Sequence, residues 1–319
     1  MTDGGITVTT VGPPVDDTGA IGFDNAGNLY VTGWDSDTLT RVSPAGLRAF
    51  LGASEDDLSD PAYAPDGWPD AGLIPFGPLL GQGSLQGGWL AVAADGTLYL
   101  TESDVNQVLR IDPQGAVSYL GSGTDGGADG PVAAADFSHP SYLALDAAGG
   151  LFVEDYNGLR RIDPSGVVST LARSFGGAGG MALDSAGNLY YPCSDNTIQV
   201  FTAAGRTLVF AGDGDAGYLD GASTSAEFDH PTCVAVDTAG NVYVSDSGNY
   251  RVRKIDLSGQ VTTVAGDGQP CDTAGAGGPD GSAQLAPSAM AFSPDGDLYV
   301  AAPNALGSGG PLMKIHFGR

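Results

Sequence analysis

The chain has 319 residues, 42% of them apolar, with 51 glycines, 20 prolines and a formal net charge of −26. That charge repels phosphate backbones and acidic lipid, which excludes nucleic acid and membrane surfaces as partners. It also predicts a soluble, acidic, self-repelling monomer, and no apolar run is long enough for a membrane span.

The elements are short strands joined by tight turns, and they repeat. The first is Val8-Thr9-Thr10-Val11-Gly12, within a strand predicted over residues 6–12. Next comes Ile21-Gly22-Phe23-Asp24-Asn25-Ala26-Gly27-Asn28-Leu29-Tyr30-Val31, which reads as strand, turn, strand; a third strand follows and ends at Gly46. Residues 53–87 form the longest insertion, rich in Pro, Gly and Asp, with Trp68 inside it and Trp89 at its far side. Such a length in a compact domain suits either a binding lid or a surface loop.

The phrase returns over residues 90–100, followed by Arg110-Ile111-Asp112-Pro113-Gln114-Gly115. It returns over 143–153, followed by Arg161-Ile162-Asp163-Pro164-Ser165-Gly166, and over 181–191, with a looser third strand ending at Gly205. The clearest copy is Val234-Ala235-Val236-Asp237-Thr238-Ala239-Gly240-Asn241-Val242-Tyr243-Val244. Behind it stand Arg253-Lys254-Ile255-Asp256-Leu257-Ser258-Gly259 and the fourth strand Val261-Thr262-Thr263-Val264. The last copy covers 290–300 and ends on Leu312-Met313-Lys314-Ile315-His316-Phe317, a third strand without a fourth. Six units of four antiparallel strands make an all-β, six-bladed propeller. Residues 6–12 resemble the fourth strands and supply the one missing from the last unit, so the ring closes without an open edge. Residues 1–319 are read as a single propeller domain.

The stretch Asp237 to Ile255, through Gly240-Asn241-Val242-Tyr243-Val244-Ser245-Asp246 and Asn249-Tyr250-Arg251-Val252-Arg253-Lys254, resembles an NHL repeat. The resemblance covers nearly the whole chain and implies a six-bladed β-propeller. Propellers host enzymes, ligand receptors and docking platforms, so the fold alone leaves the function open.

The default site is a pocket at the upper mouth of the central channel, where outer strands lead into the next inner strands. Seven residues before each inner-turn Asp lie Asp17, Gln86, His139, Gly177, His230 and Ala286. Asp17, His139 and His230 fall on alternate blades, a facial arrangement suited to a divalent metal such as zinc, iron or calcium. The same histidines, each before a proline, equally suit loops held by backbone hydrogen bonds. The resemblance extends to the peptidyl-hydroxyglycine lyases, which hold zinc with histidines from several blades. Their positions align nearer Ser141 and Thr232 here.

A second ring, at the ends of the second strands, is Gly33, Glu102, Asp155, Cys193, Asp246 and Ala302. Glu102 is the candidate general base or calcium ligand, beside His139 and His230. Trp34 and Tyr156 are candidate ligand walls, with Cys193 and Asp246 as further substrate contacts. Asp155 and Asp246 also suit turn bracing, the usual role of Asp there, and a lone cysteine such as Cys193 is more often a small buried residue. Cys193, Cys233 and Cys271 are odd in number and form neither a disulfide framework nor a zinc knuckle. The loop Asp213-Gly214-Asp215 opens like a calcium loop and then departs from one at Gly217 and Tyr218. No P-loop, nucleotide fingerprint or Gly-x-Ser-x-Gly elbow occurs. The start, Met1-Thr2-Asp3-Gly4-Gly5, has no basic region followed by an apolar core, which favours the cytoplasm over secretion. The expected function is an enzyme acting on a small molecule in the upper pocket, a metal-dependent lyase or hydrolase. The alternative is a non-catalytic propeller binding a peptide, protein or glycan.

Overall fold

The computed structural model describes residues 6–11, 18–33, 39–45, 48–51, 89–269, 287–302 and 312–318. Asp17, Trp34, Gln86, Cys271, Ala286 and the insertion at 53–87 lie outside the described residues.

Six antiparallel sheets form a ring. Blade 1 holds Thr18–Phe23, Leu29–Gly33, Leu39–Val42 and Arg48–Leu51; blade 2 holds Leu90–Val92, Leu98–Glu102, Gln107–Ile111 and Val117–Leu120. Blade 3 holds Leu143–Leu145, Leu151–Asp155, Gly158–Ile162 and Val167–Ala172; blade 4 holds Ala182–Leu183, Leu189–Pro192, Ile198–Phe201 and Thr207–Ala211. Blade 5 holds Pro231–Val236, Val242–Asp246, Arg251–Ile255 and Gln260–Ala265. Blade 6 holds Ala289–Phe292, Leu298–Ala301 and Leu312–Phe317. Its fourth strand is Ile6–Thr10, with Ile6 opposite Phe317 and Thr10 opposite Met313. Each first strand touches the first strands of both neighbours, so the ring is continuous.

The repeated phrase has a local cause. In blade 5, Asp237 Oδ1 accepts the N–H groups of Ala239 and Asn241, and Oδ2 accepts from the Asn241 side chain and the Tyr243 hydroxyl. Asp24 and Asp184 repeat the pattern with Asn28 and Tyr30, and with Asn188 and Tyr190. One carboxylate thus closes the turn and seats the tyrosine of the following strand. Gly240 takes φ +91°, a conformation that a side chain would strain.

Both faces of each blade pack on a neighbour, so second strands are buried along their length. In blade 3, Leu151 and Val153 join Val108 and Ala91 of blade 2, while Phe152 joins Leu189 and Tyr191 of blade 4. The alternation that marks one-sided sheets is therefore muted, and a polar residue on such a strand enters the core. Glu154 and Asp155 do so.

Candidate functional site

Two blades carry the same buried latch. In blade 3, Asp155 pairs with Arg160 at 3.1 Å, and Arg160 reaches Asp129 at 2.7 Å. In blade 5, Asp246 pairs with Arg253 at 2.7 Å, and Arg253 reaches Asp220 at 2.7 Å. Both guanidinium groups also donate to connector carbonyls, those of Asp136 and Ala128 in one case and Glu227 and Leu219 in the other. The carboxylates accept the N–H of Ser138 and of Asp229. Asp246, a candidate substrate contact by sequence, is thus fully buried and occupied by Arg253.

These N–H bonds fix the residue that follows, which is His139 or His230. Both have φ +47°, and their N–H groups go to Asn106 Oδ1 and Asn196 Oδ1. The equivalence expected from the repeat is visible in these matching contacts. Both side chains are exposed and turned to local partners. His139 stacks on Tyr156 at 4.8 Å, and Tyr156 is 80% exposed; His230 Nδ1 lies 2.5 Å from Asp229. Among the described residues no three His, Cys, Asp or Glu side chains are grouped to hold a metal. Asp17, the third ligand of that expectation, and Trp34 lie outside the described residues. Glu102 is buried where its strand enters the turn Ser103–Val105, and it holds the Tyr119 hydroxyl pKa up only as a second influence after burial.

The central channel, about 330 Å³, is lined by the first strands of all six blades. Trp89 lies across its upper end. Its indole meets Tyr142 edge-on at 5.1 Å, and a Cβ on Gly180 would overlap both the indole and the Cys233 sulfur. The ring thus spans from blade 2 to blades 4 and 5. Burial pushes both thiols, Cys193 and Cys233, up to about 12, so each is a neutral apolar group at physiological pH.

Beside this plug, at the seam of blades 3 and 4, sits Glu154. Its strand directs it to the same side as Phe152, toward Tyr191 and Cys193. It is 8% exposed, and Oε2 has no hydrogen-bond partner among the described residues. Burial, then the charge of Asp155, pushes its carboxyl up to about 8. Room for it exists because residue 177 is glycine: a Cβ there would come within 2.5 Å of Oε2. Phe175, packed on Tyr191 with ring centres 4.1 Å apart, forms the adjoining wall. The covering segment, residues 173–178, is glycine-containing and only partly buried.

Sequence reasoning missed Glu154 although a signal was present. The matching positions are Thr32, Thr101, Pro192, Ser245 and Ala301, so blade 3 alone puts an acid there. Gly177, the blade 4 member of the first ring, leaves the room this acid occupies.

Residues 228–255 match the NHL repeat family. Among curated proteins, human Teneurin-4 is 26% identical over 264 residues, 65% of this chain and 10% of that protein. Mouse Teneurin-3 is 24% identical over 216 residues, 55% of this chain and 8% of that one. The chain thus matches a tenth or less of these relatives' length. Among solved structures, an auxiliary nutrient binding protein of Bacteroides ovatus has a TM-score of 0.68 at 15% identity, over 98% of this chain and 76% of that one. A gluconolactonase of Xanthomonas campestris has 0.60 at 15%, over 97% and 88%. Virginiamycin B lyase of Staphylococcus aureus with quinupristin has 0.55 at 13%, over 97% and 99%. At such identities these likenesses concern the fold.

Proposed function

We propose that this NHL-repeat β-propeller is an enzyme acting on a small molecule at the upper end of the channel, with Glu154 as its acid–base group. The observation that carries this reading is a buried carboxyl with an oxygen left unpartnered among the described residues, beside an aromatic wall. Buried polar groups are normally satisfied, and a carboxyl that titrates near neutrality can both give and take a proton. The route of access in this reading is the partly buried 173–178 segment beside Phe175.

Hydrolytic ring opening of a lactone fits these groups. Water adds to the carbonyl carbon, the acyl C–O bond breaks, and Glu154 gives its proton to the departing oxygen. The carboxylate then recovers a proton from the water that attacked. The fold shared with a gluconolactonase and with virginiamycin B lyase supports the choice of substrates, not the mechanism. His139 stacks on Tyr156 and His230 Nδ1 meets Asp229, while Asp17, the third ligand of the expected metal set, lies outside the described residues. The chemistry proposed here runs through Glu154, a buried acid with an oxygen unpartnered among the described residues.

The test is turnover of glucono-lactone and of quinupristin by the full chain, followed by proton release and mass spectrometry. Turnover abolished by Glu154→Gln and retained by the double variant His139→Ala, His230→Ala is the expected result. Turnover that survives Glu154→Gln overturns the assignment of the acid. Saturable binding without turnover favours the second reading, a ligand-binding propeller like the nutrient binding neighbour.

A further inference from the structure

Blade 4 breaks the pattern of blades 3 and 5 on its outer side. In front of blades 3 and 5 the connectors are long, and each lays a short fifth strand on its blade's outermost strand. Gly130–Pro131 pairs with Val168 and Val167, and Gly221–Ala222 pairs with Val261 and Gln260. Asp129 and Asp220 on these connectors also accept the backbone N–H of Thr170 and of Thr263. The connector in front of blade 4 is short, and among the described residues Thr207–Ala211 ends its sheet.

The strand registers give the equivalent positions. Thr170 lies opposite Arg160, Thr263 opposite Arg253, and Val209 opposite Gln199. Where blades 3 and 5 have Asp, Arg and Thr, blade 4 has Cys193, Gln199 and Val209. Connector and latch are missing together. Because the N–H groups of Thr170 and Thr263 point outward to an acceptor, that of Val209 points outward as well, and so does that of Thr207 two residues before.

This edge has the features that proteins usually avoid. Thr207-Leu208-Val209-Phe210-Ala211 carries no charge, and Leu208 and Val209 are 47% and 60% exposed. Phe210, edge-on to Tyr190 at 4.8 Å, anchors the strand from behind. Arg206 stands at one end, with Asp213 and Asp215 past the other. Antiparallel pairing of two such strands sets the basic end of each beside the acidic end of its mate.

We infer that the outer edge of blade 4 is where two copies of this chain pair, Thr207–Ala211 of each running antiparallel to the other. Thr207 of each copy lies opposite Val209 of the other, so both exposed N–H groups are used and the Leu208 side chains meet across the two-fold axis. The net charge opposes the association, so salt strengthens it. This departs from the monomer that charge alone predicts.

Sedimentation velocity of the full chain over a concentration series, at low and high salt, tests the pairing. A dimer that grows with concentration and with salt is expected. Hydrogen exchange at Thr207 and Val209 should slow by about tenfold or more in the dimer. Leu208→Lys and Val209→Lys should each restore the monomer, and at a concentration where the parent is also monomeric they should leave the melting temperature unchanged. A monomer under all conditions, a dimer that survives both folded variants, or protection mapped to another strand overturns the inference. Should either variant fail to fold, the exchange map of the unaltered chain still decides.

Discussion

Blades 3 and 5 share four strands with blade 4 but are closed on the outside in a different way. In the first two, a buried arginine is clamped between an aspartate of its own blade and an aspartate of the covering connector. In blade 4 the same place holds Gln199, bonded to the Tyr191 hydroxyl at 3.2 Å, and a short connector passes by. The lesson is that the charged latch belongs to the connector rather than to the blade. Blade 4, without a long connector, has Gln199 at the position where blades 3 and 5 have the latch arginine. The seam between blades 3 and 4 is lined by Phe152, Phe175 and Tyr191, and Glu154 of blade 3 reaches into it.

Removing one arm of a latch separates the two kinds of blade most strongly. Arg253→Met leaves Asp246 buried without its partner, and about 3–5 kcal/mol of stability should be lost in urea unfolding. Gln199→Met in blade 4 should cost about 1 kcal/mol or less, because one neutral hydrogen bond is lost. Equal losses at the two sites would remove the distinction between the blades.

A second measurement concerns the seam. Glu154 holds its proton to about pH 8 in the folded chain, while an unfolded glutamate releases it at about 4.3. Between these values the folded state binds the extra proton, so stability is greatest at the acid end and falls as pH rises through the window. The decline should be roughly 2–4 kcal/mol between pH 5 and 8.5, and Glu154→Gln should flatten it. Parallel pH profiles for the two proteins would show that the carboxyl is not strained by its site.

The ring and its closure were legible in the sequence because both follow from local rules. Asp237, Gly240, Asn241 and Tyr243 form one hydrogen-bonded turn, so they recur as a phrase wherever that turn recurs. His139 and His230 were also correctly equated, since both stand on the residue fixed by the latch. What those side chains do was not legible. Their exposure depends on the left-handed backbone at +47° and on Tyr156 and Asp229, which no spacing rule conveys. Glu154 was hidden for another reason. Its strand, Leu151–Asp155, is buried on both faces, so alternation gives no sign of which residue faces a neighbouring blade's cavity.

The smallest effect expected is also the one that separates packing from assembly. Leu208 lies on an outer strand, 47% exposed, and loses little contact on becoming lysine. Its unfolding free energy should stay within about 0.5 kcal/mol of the parent when measured at a concentration where the chain is monomeric. A substitution on a covered edge behaves otherwise. Thr263 donates its N–H to Asp220 at 3.0 Å and its hydroxyl to the same carboxylate, so Thr263→Val should cost about 1 kcal/mol in the monomer. It should leave association unchanged, because that edge already has its fifth strand. Paired measurements of stability and association on the two variants therefore answer whether an outer edge is closed by the chain itself or by a second copy. A Leu208→Lys protein that loses stability as a monomer would mean that blade 4's edge is already covered from within.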